Sequence, residues 1–163
     1  MSAAARSLLA PLVLLVSLVR CGSPTPASGT YTVDFPSELA AIATDTVQVF
    51  VYPYDGMSAT CAMLVEERVT GAPMPTPMAE TRQVSPCALL GGGNALPVGF
   101  GEYAFLAVAA RQASGDFLVG CAAQVVSSTN TLVSIPLQLT DFMHALPTSS
   151  CTMLSQRCAG GGC

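Results

Sequence analysis

Two spacings of apolar and polar positions divide this chain, one of two residues and one between three and four. The period of two comes first. Tyr31, Val33 and Phe35 alternate with Thr32 and Asp34 until Pro36 stops the run, which predicts a short strand. In 46–52 (TVQVFVY), Val47, Val49 and Val51 share one face while Phe50 and Tyr52 keep the other apolar, so the pattern predicts an inner strand. The intervening 37–43 is too short to hold a helix and reads as a single turn or loop. The longer period occurs in 60–70. Cys61, Leu64, Val65, Arg68 and Val69 recur at helical spacing, Thr60 is placed to cap the start, and Gly71 fits the stop. A strand over 63–69 is the competing reading.

After this helix, 72–78 (APMPTPM) has prolines at alternate positions and predicts an extended surface loop. A polyproline ligand for a partner is the sharper reading, and a loop stiffened by proline the simpler one. Residues 80–90 read as a further strand with Cys87 near its end, and 91–94 (GGGN) as a flexible connection. GGGN is not a phosphate loop, since no Lys-Ser/Thr follows. Then 103–110 (YAFLAVAA) is apolar on both faces, as a central strand would be. Residues 111–116 form a hairpin loop with Gly115 free to take positive φ. The return, 117–126, puts Phe117, Val119, Cys121 and Val125 on one face, and 127–130 turns the chain again. Over 132–139, Val133, Ile135, Leu137 and Leu139 point inward, and Pro136, unable to donate to a ladder, predicts an edge strand. Three strands joined by short turns predict an antiparallel meander.

The N-terminus is patterned differently. Arg6 precedes a continuous apolar run over 7–19, closed by Arg20-Cys21-Gly22-Ser23. Thirteen helical residues reach roughly 20 Å, short of a bilayer core of about 30 Å, so the run reads as a secretory signal over 1–20 and not as a membrane span. Leu18-Val19-Arg20-Cys21 resembles a bacterial lipobox, which implies lipidation of Cys21 and attachment to the membrane through that lipid. Arg20 stands where lipoproteins carry Gly, Ala or Ser; the alternative is cleavage near Ala27 and a secreted or periplasmic product. Residues 21–29 are small, Pro-rich and uncharged, the composition of a tether. The expected domains are thus a signal (1–20), a tether (21–29), a β domain (30–142) and a Cys-rich tail (143–163).

From Cys21 onward four arginines face ten acids, a formal net charge of −6, with no lysine in the chain. That composition offers no basic patch for nucleic acid and no amine for Schiff-base chemistry. Seven cysteines in an exported chain are most simply structural. With Cys21 lipidated, Cys61, Cys87 and Cys121 lie in the body, and Cys151, Cys158 and Cys163 in the tail. Both sets are odd, so full pairing within one molecule needs a bridge between body and tail. A Cys61–Cys87 bridge would close the proline-rich excursion. Zinc is disfavoured: there is no CxxC spacing, and His144 is the single histidine.

Gly101-Glu102-Tyr103, the strand after it, Ser114-Gly115, Gly120-Cys121 and Val133-Ser134-Ile135-Pro136-Leu137 together look like the closing half of prealbumin-like or carboxypeptidase-regulatory-like modules (about residues 99–139). Such modules are frequent in small exported bacterial lipoproteins. The resemblance implies an Ig-like or prealbumin-like sandwich on the seven-strand scale, used as a scaffold or adhesion module; with the patterns above, the expected fold is mainly β and antiparallel with one short helix near 61–70.

The chain shows no catalytic constellation. His144 follows Asp141 by three residues, but there is no Gly-x-Ser-x-Gly elbow. The acids Asp34, Asp45, Asp55, Glu66, Glu67, Glu102, Asp116 and Asp141 include no pair that spacing singles out for glycoside hydrolysis or calcium. The reading is a non-enzymatic, cofactor-free envelope or surface domain for structural or recognition roles, with a protein or glycan partner. Tyr54 and Phe100 are the loop aromatics available for contact. A small envelope enzyme built around His144 and a periplasmic binding or assembly subunit are the competing classes.

Overall fold

The period-two segments form eight strands, β1 (Gly29–Asp34), β2 (Thr46–Pro53), β3 (Ala79–Glu80), β4 (Asn94–Leu96), β5 (Gly101–Arg111), β6 (Gly115–Val126), β7 (Leu132–Pro136) and β8 (Gln138–Leu139). Four helices accompany them: α1 (Glu38–Ala43), α2 (Cys61–Thr70), α3 (Pro86–Leu89) and α4 (Leu154–Cys158). The structure, a computed structural model, describes residues 29–92, 94–112, 115–141, 146 and 149–160. The signal, the tether up to residue 28, and with them Cys21, as well as His144 and Cys163, lie outside the described residues.

The strands make two sheets, β4-β1-β7 and β3-β2-β5-β6-β8, consistent with a β-sandwich. Val47, Val49 and Val51 of β2, Phe105, Ala107 and Ala109 of β5, and Tyr31, Val133 and Ile135 from the smaller sheet share one core. Burying each of the larger aliphatic side chains is worth roughly 1.5–3 kcal/mol relative to exposure. The outer face of the large sheet is apolar too, because α2 covers it: Leu64 packs with Tyr52, Ala104, Leu106, Val108 and Val119. This accounts for the two-faced patterns of β2 and β5, which are both inner strands. The α2 ends match their sequence signals. The Thr60 hydroxyl accepts from the Met63 N–H, and Gly71 takes φ of 70°.

Several expectations are corrected. Residues 38–43 form a helix despite their shortness. Ser37 Oγ accepts from the Ala40 N–H, Thr44 Oγ1 donates to the Ala40 carbonyl, and Ala40–Ala43 are buried, so packing supplies what helix length does not. In 80–90 no full strand forms. Beyond β3 a single bridge joins Val84 to Val47, and Pro86, which lacks an N–H and has φ suited to a first turn, starts α3. Asn94 does not belong to a loose connection; it begins β4, paired antiparallel with β1. Phe117 does not share the face of Val119. The β5–β6 register shifts at Ala109/Ala110, a bulge that sends both Phe117 and Leu118 into the inter-sheet core.

The largest correction concerns 132–139. This is not the third strand of a meander but two strands in different sheets. β7 pairs parallel with β1, from Thr30↔Leu132 to Asp34↔Pro136, and β8 pairs antiparallel with β6. The alternation survives the switch, with Val133, Ile135 and Leu137 buried. Pro136 ends an edge strand, where its missing N–H costs no ladder bond, and the Leu137 N–H donates to the Asp34 carbonyl at 2.9 Å.

The cysteine pairings differ from the loop-closing expectation. Cys61 pairs with Cys121 across 60 residues and Cys87 with Cys158 across 71, and not Cys61 with Cys87. Cys61 opens α2 directly over the outer face of β6, where Cys121 sits beside Val119. The second bridge joins body to tail. Cys151 is also disulfide-bonded. The two disulfides between described residues mark the protein as extracytoplasmic.

The sheet switch depends on Gly120. A Cβ added there would lie 1.9 Å from the Pro136 carbonyl oxygen, and backbone cannot swing aside as a side chain could. We expect Gly120→Ala to lower unfolding stability by about 3 kcal/mol or more. Gly91→Ala, where a Cβ meets nothing within 4 Å, should stay within about 0.5 kcal/mol in the same denaturant titration.

Candidate functional site

Three short helices meet at the end of the sandwich where β1 finishes. None has the length to stand alone, and each is held by the others. The Leu154 N–H of α4 donates to Glu38 Oε2 in the first turn of α1 at 3.0 Å. At the other end of α1, Arg157 donates to the carbonyls of Ile42 and Thr44 and reaches Asp45 at 3.1 Å. A guanidinium on the orphan carbonyls of a helix C-terminus satisfies them and complements the helix dipole. The Cys87–Cys158 disulfide ties α3 to α4. Gln156 Oε1 accepts from the N–H groups of Thr152 and Met153, which closes the first turn of α4.

This clasp encloses a groove of about 490 Å³, within the size range of ligand sites. Val33, Phe35, Leu89 and Leu154 supply apolar walls, and Asp34 and Glu38 stand at its rim. Among the described residues no arginine lines it. Asp34 accepts from the Ser134 hydroxyl and Glu38 from Leu154, so both carboxylates are oriented and each keeps acceptor capacity. Leu39, Leu90 and Met153, on or beside the same helices, are exposed large apolar residues. The groove brings apolar side chains together with the Asp34 and Glu38 carboxylates and the Ser37 hydroxyl, which accepts from the Ala40 N–H.

Elsewhere the acids are dispersed. Asp45 serves Arg157 and the Gln112 N–H, and Asp116 pairs with Arg68, whose guanidinium also lies over Phe50. Asp55 closes its own turn. The Ser58 hydroxyl and then the Met57 and Ser58 N–H groups hold its carboxyl far below the usual carboxylate range. Among the described residues no three His, Cys, Asp or Glu side chains gather as metal ligands. Burial raises the phenol pKa of Tyr31, partly offset by Thr81. Burial also raises that of Tyr52, against Arg68 and with Glu67 and Glu80. Both phenols are core groups.

Of the loop aromatics, Tyr54 packs against the α2 core, whereas Phe100 is exposed. Met74 of the proline-rich loop packs on that same core and the Met78 N–H donates to Val51, so the loop is laid against the sheet. The groove itself escaped sequence reasoning. A trace of it lay in Pro86-Cys87, a proline able to start a helix beside one of the three body cysteines, of which parity sends at least one to the tail. No helix among the described residues is long and apolar enough to cross a membrane. No family model, curated protein or solved structure matches this chain.

Because Arg157 bridges α4 to the α1 C-terminus, Arg157→Ala should release both walls of the groove. We expect faster amide hydrogen exchange in 38–44 and 154–158, with 61–70 unchanged, and a stability loss of about 1–2 kcal/mol. Unaltered exchange in 38–44 would show that the arginine does not hold the clasp.

Proposed function

We propose that this protein is a non-enzymatic, exported recognition domain, tethered to a membrane through a lipid on Cys21, that binds an apolar peptide segment carrying a cationic residue. The carrying observation is the composition of the groove: apolar walls, two carboxylates at the rim and, among the described residues, no basic lining residue. A cation beside the apolar segment would meet Asp34 or Glu38 while the aliphatic side chains enter against Phe35 and Leu89. The walls are held by a disulfide and by hydrogen bonds, so binding would cost little ordering of the protein. Disulfide stapling and the small, uncharged tether sequence fit display outside the cytoplasm, and the prealbumin-like reading fits a scaffold carrying such a site.

A panel of short peptides of equal length tests this by amide chemical shifts on labelled protein. Apolar-cationic peptides should shift Phe35, Leu89, Leu90 and Leu154, and Asp34→Asn with Glu38→Gln should weaken the response about tenfold or more. Equal response to apolar-acidic peptides would refute the role of the carboxylates. No groove response to any peptide would refute the recognition reading.

A further inference from the structure

Where the sandwich opens along one edge, a cleft of about 370 Å³ lies between the two sheets, within the size range of ligand sites. β4 is the edge strand of the smaller sheet there and β3 that of the larger. Asn94 of β4 pairs directly with Tyr31, whose ring belongs to the inter-sheet core, so both side chains stand on the inner face. Leu96, the other inner position of β4, is fully buried. From the opposite sheet the Thr81 side chain hydrogen-bonds the Tyr31 phenol, and Thr81 Oγ1 accepts from the Val49 N–H at 2.9 Å. Val84 and Pro97 add apolar walls.

Two polar groups of this lining have no task in the fold. The segment after β3 carries a bulge. The Thr81 N–H donates to the Val49 carbonyl and Val84 pairs with Val47, so three steps of one strand face two of the other. The surplus residue breaks the alternation at Arg82, which is exposed and lines the cleft. Arg68 and Arg157 have carboxylate partners and Arg111 lies over Phe117; among the described residues Arg82 has no such partner. The second group is the side-chain nitrogen of Asn94, which is buried and has no hydrogen-bond partner among the described residues. A buried donor left unpaired is costly, and a ligand acceptor would satisfy it. The neighbouring acid is turned away. Glu80 pairs with Phe50, which packs on the outer face, and its carboxylate accepts from Gln48 Nε2 at 3.3 Å.

We propose that this cleft is a second binding site, separate from the groove, that takes a small organic carboxylate with an apolar body. The carboxylate meets the Arg82 guanidinium and accepts from the Asn94 amide, while the body lies against Val84 and Pro97 over the Tyr31 ring. Guanidinium and carboxylate make charge-assisted hydrogen bonds, stronger than neutral ones, and the planar fork fits a carboxylate in two contacts. The coincidence of an unpaired cation and an unpaired amide donor in one cleft carries the proposal.

Benzoate, benzamide and inorganic phosphate, titrated separately into the labelled, disulfide-intact protein, test this by amide chemical shifts. Benzoate should shift 81–84 and 94–96, leave Leu89 and Leu154 of the groove in place, and bind about tenfold or more tighter than benzamide. Arg82→Gln, at an exposed position, should weaken benzoate about tenfold. Asn94→Ala should weaken it too without lowering the denaturation midpoint, because it removes a donor the fold does not satisfy. A lowered midpoint would show that the amide serves the fold and overturn its assignment to a ligand. Equal binding of benzamide would overturn carboxylate recognition, and equal binding of phosphate would overturn the apolar part of the site. No shift at 81–84 or 94–96 with any of the three would overturn the site itself.

Discussion

The Cys87–Cys158 bridge is the constraint on which the functional end of this molecule depends. The tail is too short to build a core, and α4 has only five residues. A helix of that length has no stability of its own in water. Crosslinking it to α3 across 71 residues removes chain entropy from the unfolded state worth about 4 kcal/mol in the loop model. Once the bridge is in place, Leu154 is buried and Arg157 reaches the α1 carbonyls. α1, equally short, is capped in return. The groove is thus a consequence of three weak helices stabilising one another, with one covalent bond making the set cooperative. Cys61–Cys121 does comparable work on the outer face, fixing α2 over β6, and the two bridges interleave along the chain.

How far the sequence revealed this follows from the range of each interaction. β2, β5 and the hairpin at Gly115 were legible because burial on two faces and a positive-φ turn leave local marks. α2 was legible through its 3.6-residue period and both caps. The α1 helix was not, because its stability comes from Arg157, more than a hundred residues away. Leu132–Leu139 displayed the right inward set, yet alternation says which side chains face a core and not which strand lies alongside. Assigning β7 to β1, in parallel, needs the clearance over Gly120, and no period encodes that. The parity of the cysteines called for a bridge between body and tail, while partner choice depended on α3 replacing the expected strand at Pro86. The groove was invisible for the same reason: its lining residues come from β1, α1, α3 and α4, and meet only after the tail is docked.

The groove and the cleft at the sandwich edge have different chemistry. The groove has two oriented carboxylates over an apolar slot with covalently fixed walls, and the cleft has the Arg82 guanidinium and the Asn94 amide. Three of the acids serve the fold: Asp45 and Asp116 pair with arginines and Asp55 closes a turn.

The most direct test of this account is a disulfide map of the natively exported protein by proteolysis and mass spectrometry without reduction. The account predicts peptides joining Cys61 to Cys121 and Cys87 to Cys158. A Cys61–Cys87 peptide would contradict it, since the tail would then lack its crosslink to α3 and the groove would lose a wall.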